Sequence, residues 1–171
     1  MSEIPPSHEF TKAGSIPVMR WPLLDATRVV ETVVTTRGGG VSTGVYESLN
    51  LGLHVGDDPA AVIENRSRAA GAIGLGLDDL VFCKQSHGRA VEHVGVADRG
   101  RGTRSDLDAI ADTDAMVTTD AGVGLVIMVA DCVPIVLVDP VSRVLACVHA
   151  GWRGTTQRVV TETVDRMVDL G

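Results

Sequence analysis

Short apolar runs rich in β-branched residues recur along the chain, and glycine, proline or aspartate interrupts them. Such runs are typical of strands in a mixed α/β protein, because branched side chains pack well on a pleated surface. Six runs are predicted as strands: Arg28–Thr36, Leu80–Gln85, Ala90–Val96, Gly124–Ala130, Ile135–Val138 and Val144–Val148. The last three of these runs are almost wholly apolar and are expected to be central strands.

Two other segments have apolar residues at the spacing of a helix. The first follows Asp58-Pro59, a good helix start because Asp caps free N–H groups and Pro suits the first helical position. Its inner face would carry Val62 and Ile73. The second is Thr155–Leu170. Strands alternating with helices predict an α/β fold with ligand-type residues at strand ends.

The remaining segments are expected to be irregular. Residues 1–20 are predicted to be a loose N-terminal arm, and residues 21–171 a single α/β domain. The charged, glycine-containing segment Arg99–Asp112 is predicted to be a mobile surface loop. Four nearby aspartates are expected on a solvated face rather than in a metal site: Asp106, Asp108, Asp112 and Asp114.

Composition narrows the classes of partner. The formal net charge of −7 argues against nucleic acid or an anionic membrane, since both favour a basic surface. Three cysteines without a CxxC spacing, and no signal-peptide pattern, predict a cytoplasmic protein. A monomer is the favoured expectation. The longest apolar region, residues 121–138, is broken by Asp131 and Pro134, so no membrane span is expected.

Three potential metal ligands, His87, Cys132 and His149, each end an apolar run. Zinc accepts neutral imidazole and thiolate, and catalytic zinc sites use three protein ligands with one open position. Two other interpretations remain open from the residues alone. Cys132 could be a buried small hydrophobe with both histidines as polar strand ends, or a thiolate nucleophile with either histidine as its base.

Four other residues are candidates for binding or catalysis. Arg153, in a Gly-Trp-Arg-Gly turn before a helix, is expected to attract phosphate or another oxyanion. Arg37, before three glycines, is either a second anion ligand or a solvated hairpin end. Asp131 could orient a ligand histidine, act as a base or cap a strand. His54 is a candidate substrate contact or an exposed loop residue.

A set of short motifs, taken in their order along the chain, resembles the YfiH-like family, also called the laccase-domain or polyphenol oxidase family. The two most specific are Ala130-Asp131-Cys132-Val133-Pro134 and His149-Ala150-Gly151-Trp152-Arg153-Gly154. The others are Thr35-Thr36-Arg37-Gly38-Gly39, Val41-Ser42, Ser48-Leu49-Asn50-Leu51-Gly52, His54-Val55-Gly56-Asp57, Asn65-Arg66 and Gln85-Ser86-His87-Gly88. The resemblance implies a layered α/β/β/α fold, similar to that of cytotoxic necrotizing toxin catalytic domains.

The resemblance also implies a function. Its members are regarded as zinc purine nucleoside phosphorylases that act on adenosine, inosine, guanosine and methylthioadenosine and also deaminate adenosine. It implies zinc on His87, Cys132 and His149. We expect Arg37 and Arg153 to balance phosphate charge, and Asn50 and His54 to contact the nucleoside.

The alternatives are a copper-dependent polyphenol oxidase and a metal-free Cys–His hydrolase acting on cell-wall precursors. Family members usually have Gln-Val-His-Gly where this chain has Gln-Ser-His-Gly over 85–88. They also continue past the final helix with a Gly-Pro-x-Ile-Gly segment. We therefore expect the fold to be incomplete at its C-terminus.

Overall fold

The computed structural model describes residues 6–171. The chain divides into two compact units, the first ending at Leu75 and the second running from Gly76 to Gly171. No helix among the described residues has the length and apolar character needed to cross a membrane.

A small antiparallel sheet and one long helix form the first unit. The strands are β1 (Glu9–Ala13), β2 (Ile16–Arg20) and β3 (Val34–Thr35), with β2 in the middle. The helices are α1 (Pro22–Asp25) and α2 (Pro59–Gly71), with short 3-10 helices at Gly44–Tyr46 and Leu53–Val55. The core of this unit contains Ile16, Val18, Leu49 and Ala72.

The N-terminal segment is more ordered than its polar composition predicts. Strand β1 pairs with β2 in a continuous register from Glu9↔Arg20 to Ala13↔Ile16. Ile16 and Val18 are 1% and 0% exposed. The expected loose arm is therefore wrong for residues 9–20, because burial of alternate apolar residues holds a hairpin there. Residues 1–5 of the expected arm lie outside the described residues, and the wider domain division stays a prediction.

The predicted strand Arg28–Thr36 is largely wrong. Only Val34 and Thr35 pair with another strand, opposite Met19 and Val18 of β2. Arg28 has a positive φ of 55°, in the turn that follows α1. Branched side chains favour an extended backbone, but a strand forms only where a neighbouring backbone offers hydrogen bonds.

Helix α2 begins where the sequence predicts. The side chain of Asp58 accepts a hydrogen bond from the N–H of Ala60 at 3.0 Å, and Pro59 occupies the first helical position. The buried residues of α2 include two polar ones, Asn65 and Arg66, beside Val62 and Ala70. This helix is therefore anchored by buried hydrogen bonds as well as by apolar packing.

The second unit contains two sheets and two helices. A parallel pair joins β4 (Leu80–Phe82) to β7 (Gly124–Val126). A mixed four-stranded sheet has the order β5-β6-β9-β8. Its strands are β5 (Val91–His93), β6 (Ala115–Thr118), β8 (Val133–Asp139) and β9 (Val144–Ala150). The helices are α3 (Trp152–Thr156) and α4 (Val159–Leu170), with short 3-10 helices at Leu77–Asp79 and Val96–Asp98.

Three of these strands differ from the sequence prediction. Strand β6 was not predicted, although all four of its residues are buried and it pairs with both β5 and β9. Strands β7 and β8 are expected to be central, but each has one strand neighbour among the described residues, β4 for β7 and β9 for β8. Strand β7 also ends at Val126 rather than Ala130, and the side chains of β8 are mostly half-buried. A four-residue run is too short for its burial to show in periodicity alone.

The segment predicted to be a mobile loop is bonded along β4. The N–H of Gly100 donates to the carbonyl of Leu80, and the N–H of Ile110 donates to the carbonyl of Phe82. Its apolar residues Ala109 and Ile110 are 6% and 7% exposed. The mobile-loop prediction is therefore wrong. The charged residues of this segment suggest a solvated loop, but its backbone hydrogen-bonds β4 and its apolar end is buried.

The C-terminal helical pattern is split in two. Arg158 has a left-handed backbone conformation (φ 62°) that ends α3 and precedes α4. The predicted helix Thr155–Leu170 is therefore right in type and wrong at its start. Val159, the first residue of α4, is 0% exposed and packs with Ala115 and Val148 of the sheet.

Candidate metal centre

His87, Cys132 and His149 meet at one place in the second unit. One ligand atom from each, two imidazole nitrogens and a thiol sulfur, lies within 4.8 Å of the other two. The imidazole rings of the histidines are 4.7 Å apart between centroids and nearly perpendicular. Among residues 6–171, it is the one group of three or more His, Cys, Asp or Glu side chains whose ligand atoms lie close enough to hold a metal ion.

Strand register explains why residues so distant in sequence meet. His149 lies in β9 opposite Pro134 of β8, and Ala150 lies opposite Val133. Cys132 directly precedes Val133, so antiparallel pairing places it beside Gly151. His87 lies in the turn after β4 and has a positive φ of 60°. A short turn and a strand pair therefore supply the three side chains.

A buried aspartate contacts both histidine segments. The side chain of Asp114 is 0% exposed, and its Oδ1 lies 2.7 Å from Nδ1 of His149. The same Oδ1 accepts a hydrogen bond from the N–H of His87 at 2.9 Å. Its Oδ2 accepts from the N–H of Gly88 at 2.7 Å and from the N–H and hydroxyl of Ser86.

These contacts determine the charge of Asp114. Burial raises its pKa, but hydrogen bonds from His149, Gly88 and Ser86 outweigh burial and bring the pKa below the ordinary value. Asp114 is therefore an anion held by N–H groups of three consecutive residues, 86–88. The expectation of a solvated aspartate is wrong for Asp114.

Gly151 leaves room where the three ligands meet. A Cβ at this position would lie 3.0 Å from Sγ of Cys132, 3.1 Å from Cδ2 of His87 and 3.9 Å from Cε1 of His149. Its φ of −76° is open to any residue, so backbone conformation does not require glycine here. The absence of a side chain at Gly151 therefore fits a space reserved for the trio.

The donor set suits a borderline-soft metal ion. With Nδ1 of His149 bonded to Asp114, Nε2 is the nitrogen left to bind a metal. Two imidazoles and one thiolate match the ligand types of zinc sites that keep one position open. The three residues therefore fit zinc, and the metal prediction from the sequence is consistent with their geometry.

The Cys132 thiol lacks the signs of an activated nucleophile. Its pKa is raised by partial burial, by the negative charge of Asp131 and by a hydrogen bond to that carboxylate. Reactive cysteines instead have a lowered pKa, next to a cation or a helix N-terminus. The carboxylate bonded to His149 is Asp114 rather than Asp131, so orientation of that histidine does not fall to Asp131.

Of the other two cysteines, Cys83 is buried and Cys147 is half-buried. Cys83 is 3% exposed, and burial raises its pKa to about 12. Burial alone raises the pKa of Cys147 to about 12. Both therefore remain neutral thiols at physiological pH.

The Gly-Trp-Arg-Gly segment is itself helical. Trp152 and Arg153 are the first residues of α3 rather than a loop before a helix. Arg153 is exposed and its guanidinium carbon lies 5.2 Å from the centre of the Trp152 ring, which is 75% exposed. Gly154 permits close packing, since a Cβ there would lie 2.8 Å from the carbonyl oxygen of Gly88. The role of Arg153 toward an anion stays a prediction.

Arg37 in the first unit binds its own loop. Its Nη2 donates to the carbonyls of Val45 and Glu47, at 3.2 and 2.8 Å, and its Nε also donates to Glu47. Its carbonyl accepts hydrogen bonds from Ser48 and Leu49. Arg37 therefore closes the 37–49 loop, and the predicted phosphate role is untested by these contacts.

Asn50 and His54 lie farther along the same unit. Nδ2 of Asn50 donates to Asp57 at 2.9 Å, and its Oδ1 accepts from the N–H of Gly52. His54 is exposed in the 3-10 helix Leu53–Val55. Asn65, fully buried, donates to the carbonyls of Ser48 and Asn50, so two hydrogen bonds hold the backbone of the Asn50 segment. Substrate contact by Asn50 and His54 stays a prediction.

Sequence reasoning missed Asp114, which hydrogen-bonds the segments of both ligand histidines. One signal was present: Asp114 directly precedes the apolar run Ala115–Val117. The same pattern, a polar residue adjoining an apolar run, identified the three ligands. It was obscured because Asp106, Asp108 and Asp112 are close in sequence and suggested one charged face.

Comparison with known proteins gives consistent matches. Residues 31–171 match the family described as multi-copper polyphenol oxidoreductase laccase. A purine nucleoside phosphorylase of Corynebacterium glutamicum is 46% identical over 144 residues, which cover 84% of this chain and 56% of that protein. The chain thus spans a little over half the length of this relative.

Solved structures agree with the fold. The crystal structure of YlmD from Geobacillus stearothermophilus matches with a TM-score of 0.86 and 36% identity, over 94% of this chain and 58% of that one. A Bacillus licheniformis protein, YfiH, matches with a TM-score of 0.84 and 33% identity, over 93% of this chain and 58% of that one. The α/β fold expected from the sequence is confirmed.

Proposed function

This chain belongs to the multi-copper polyphenol oxidoreductase laccase family, and we propose that it acts as a zinc-dependent purine nucleoside phosphorylase. The proposed substrates are phosphate and adenosine, inosine, guanosine or methylthioadenosine, and the proposed second activity is deamination of adenosine. The purine nucleoside phosphorylase name of the Corynebacterium glutamicum relative supports the reaction class.

The observation that carries the proposal is the meeting of His87, Cys132 and His149 within 4.8 Å. Two further features support a metal there. Asp114 leaves Nε2 of His149 as the free ring nitrogen, and Gly151 places no side chain among the three ligand atoms. A bound zinc would supply a Lewis acid for water or for a phosphate oxygen.

Residues of the chain would do the remaining work. Arg153 and Arg37 would provide positive charge for phosphate, and Asn50 and His54 would hydrogen-bond the nucleoside. Asp131, exposed beside Cys132, would accept or return a proton. Phosphorolysis breaks the bond between base and sugar and yields the free base and the sugar 1-phosphate, whereas deamination of adenosine consumes water and yields inosine and ammonia.

The test combines metal content with product analysis. The purified chain is measured for zinc and copper by plasma mass spectrometry, then incubated with inosine or adenosine, with and without phosphate. We expect one zinc per chain, and hypoxanthine or adenine released only with phosphate. His87→Ala should abolish both zinc and product, whereas His93→Ala, an exposed histidine in β5, should change neither. A zinc-free chain that forms no product would overturn the proposal.

The family description supports a second candidate, oxidation of phenols by copper. Multicopper oxidation requires several copper sites, and residues 6–171 contain one group of suitable ligands. Oxygen uptake with a phenol after copper loading distinguishes the two functions. Uptake that exceeds nucleoside turnover would favour the oxidase.

A further inference from the structure

We propose that Asp114 is a positioning residue that orients two of the three metal ligands at once. This inference deepens the proposed zinc site and rests on it. Its carboxylate is completely buried and accepts five hydrogen bonds, from His149, His87, Ser86 twice and Gly88.

The first effect of Asp114 is on the ring of His149. An anionic Oδ1 at 2.7 Å from Nδ1 accepts the ring proton, so the neutral ring carries hydrogen on Nδ1 and a lone pair on Nε2. The backbone N–H of His149 also donates to the carbonyl of Asp114 at 2.7 Å. Backbone and ring of this ligand are therefore both held by one residue.

The second effect is on the turn that carries His87. Consecutive N–H groups of Ser86, His87 and Gly88 all point to the Asp114 carboxylate, as in the backbone nests that bind anions. His87 has a positive φ of 60°, a conformation that few residues other than glycine adopt without support. The carboxylate thus stabilises the turn that aims His87 at Cys132 and His149.

Charge gives a third reason for an aspartate at this place. A zinc ion bound by one thiolate and two neutral imidazoles would carry a net charge of about +1, which the buried Asp114 carboxylate would offset. An uncharged residue of the same shape would leave that charge uncompensated beside the buried His149.

Asp114→Asn tests this assignment because an amide keeps the shape and loses one acceptor. If its oxygen faces His149, its NH2 group faces the N–H groups of Ser86 and Gly88, and the His87 turn is repelled. If the amide is reversed, the NH2 group faces Nδ1 of His149 and favours a proton on Nε2. Either orientation disturbs one ligand, so we expect zinc affinity to fall by about 10–100-fold.

Three readouts need no nucleoside. The first is the zinc dissociation constant by chelator competition. The second is the visible spectrum of the cobalt-loaded chain, in which we expect Asp114→Asn to alter the cobalt bands. Asp112→Asn, an exposed aspartate two residues away in the same segment, is the control and should leave both unchanged. A merely structural role would lower the melting temperature but leave the cobalt spectrum as in the wild type.

The third readout uses the wild-type chain, so it tests the inference even if the Asp114→Asn variant does not fold. In metal-free protein labelled with 15N-histidine, at mildly alkaline pH, His149 should show the Nδ1–H tautomer. An Nε2–H tautomer, or an Asp114→Asn variant with wild-type zinc affinity and cobalt spectrum, would overturn the inference. A wild-type chain that binds zinc but forms no product would overturn the proposed function alone. A chain that binds no zinc would overturn both.

Discussion

Gly151→Ala should weaken metal binding without unfolding the protein. The added Cβ would lie 3.0 Å from Sγ of Cys132 and 3.1 Å from Cδ2 of His87. Favourable contacts between such atoms are about 3.5–4.0 Å, so the ligands must move apart by about half an ångström. Metal–ligand distances tolerate only about 0.2 Å, so the displacement exceeds what a zinc site accommodates.

The cost to stability should be smaller than the cost to binding. Overpacking by one methyl group typically costs about 1–3 kcal/mol, and the φ of −76° at Gly151 adds no backbone strain. Loss of chain flexibility in the unfolded state offsets about 0.4–1 kcal/mol of this. We therefore expect zinc affinity to fall at least about tenfold, while the metal-free variant keeps its circular dichroism and a cooperative transition.

The assay is zinc titration against a chromophoric chelator, paired with urea unfolding of metal-free protein. Gly71→Ala, at the end of α2, is a matched control because nothing lies within 4 Å of its added Cβ. That control should bind zinc like the wild type and be unchanged or slightly more stable. Zinc affinity of Gly151→Ala within about threefold of wild type, far from the effect expected of displaced ligands, would refute the reasoning.

Three further predictions address other parts of the chain. Iodoacetamide should modify Cys132 first, and zinc should protect Cys132 from modification. Cys83 and Cys147, each with a pKa of about 12, should react only on unfolding. Peptide mass mapping checks this order, and early labelling of Cys83 would contradict it. Asn65→Ala removes four hydrogen bonds of the 41–50 loop and should cost roughly 3–4 kcal/mol of unfolding free energy in urea, whereas exposed Glu64→Ala should cost under about 0.5 kcal/mol. Hydrogen bonds from Asn50 and Ser42 lower the pKa of Asp57 below its ordinary value of 3.8. These bonds therefore stabilise the folded chain above pH 3.8, and that stabilisation is lost as the pH falls through the lowered pKa. Ser42→Ala should raise the Asp57 pKa in a carboxyl NMR titration, and an unchanged pKa would contradict a role for the Ser42 hydrogen bond.

The strands that carry the ligands were predictable because their apolar runs are bounded by polar residues. Runs ending at His87, Cys132 and His149 are visible in the sequence, and the fold confirms strands before His87 and around His149. The capped start of α2 was predictable for a local reason, since Asp58 and Pro59 act on adjacent backbone groups. Local signals of this kind do not depend on the rest of the chain.

What sequence could not predict depends on long-range pairing. The 99–112 segment resembles a solvated loop until its N–H groups are seen bonded along β4. The Glu9–Arg20 hairpin is stabilised by burial of Ile16 and Val18 with Leu49 and Ala72, residues from other parts of the unit. Neither partner can be inferred from a window of adjacent residues.

Asp114 depends both on a local sequence signal and on long-range strand pairing. The residues that support the metal ligands explain the site better than the ligands alone. The ligand types identify a metal site, yet two imidazoles and a thiol near one another do not by themselves determine which ring nitrogen is free. That choice comes from one carboxylate that is 0% exposed and that binds the His149 ring and the 86–88 backbone together. Because β6 places Asp114 next to β9, the register of the sheet and the protonation of a ligand are linked. A change that shifts β6 should therefore alter metal affinity even when all three ligands remain.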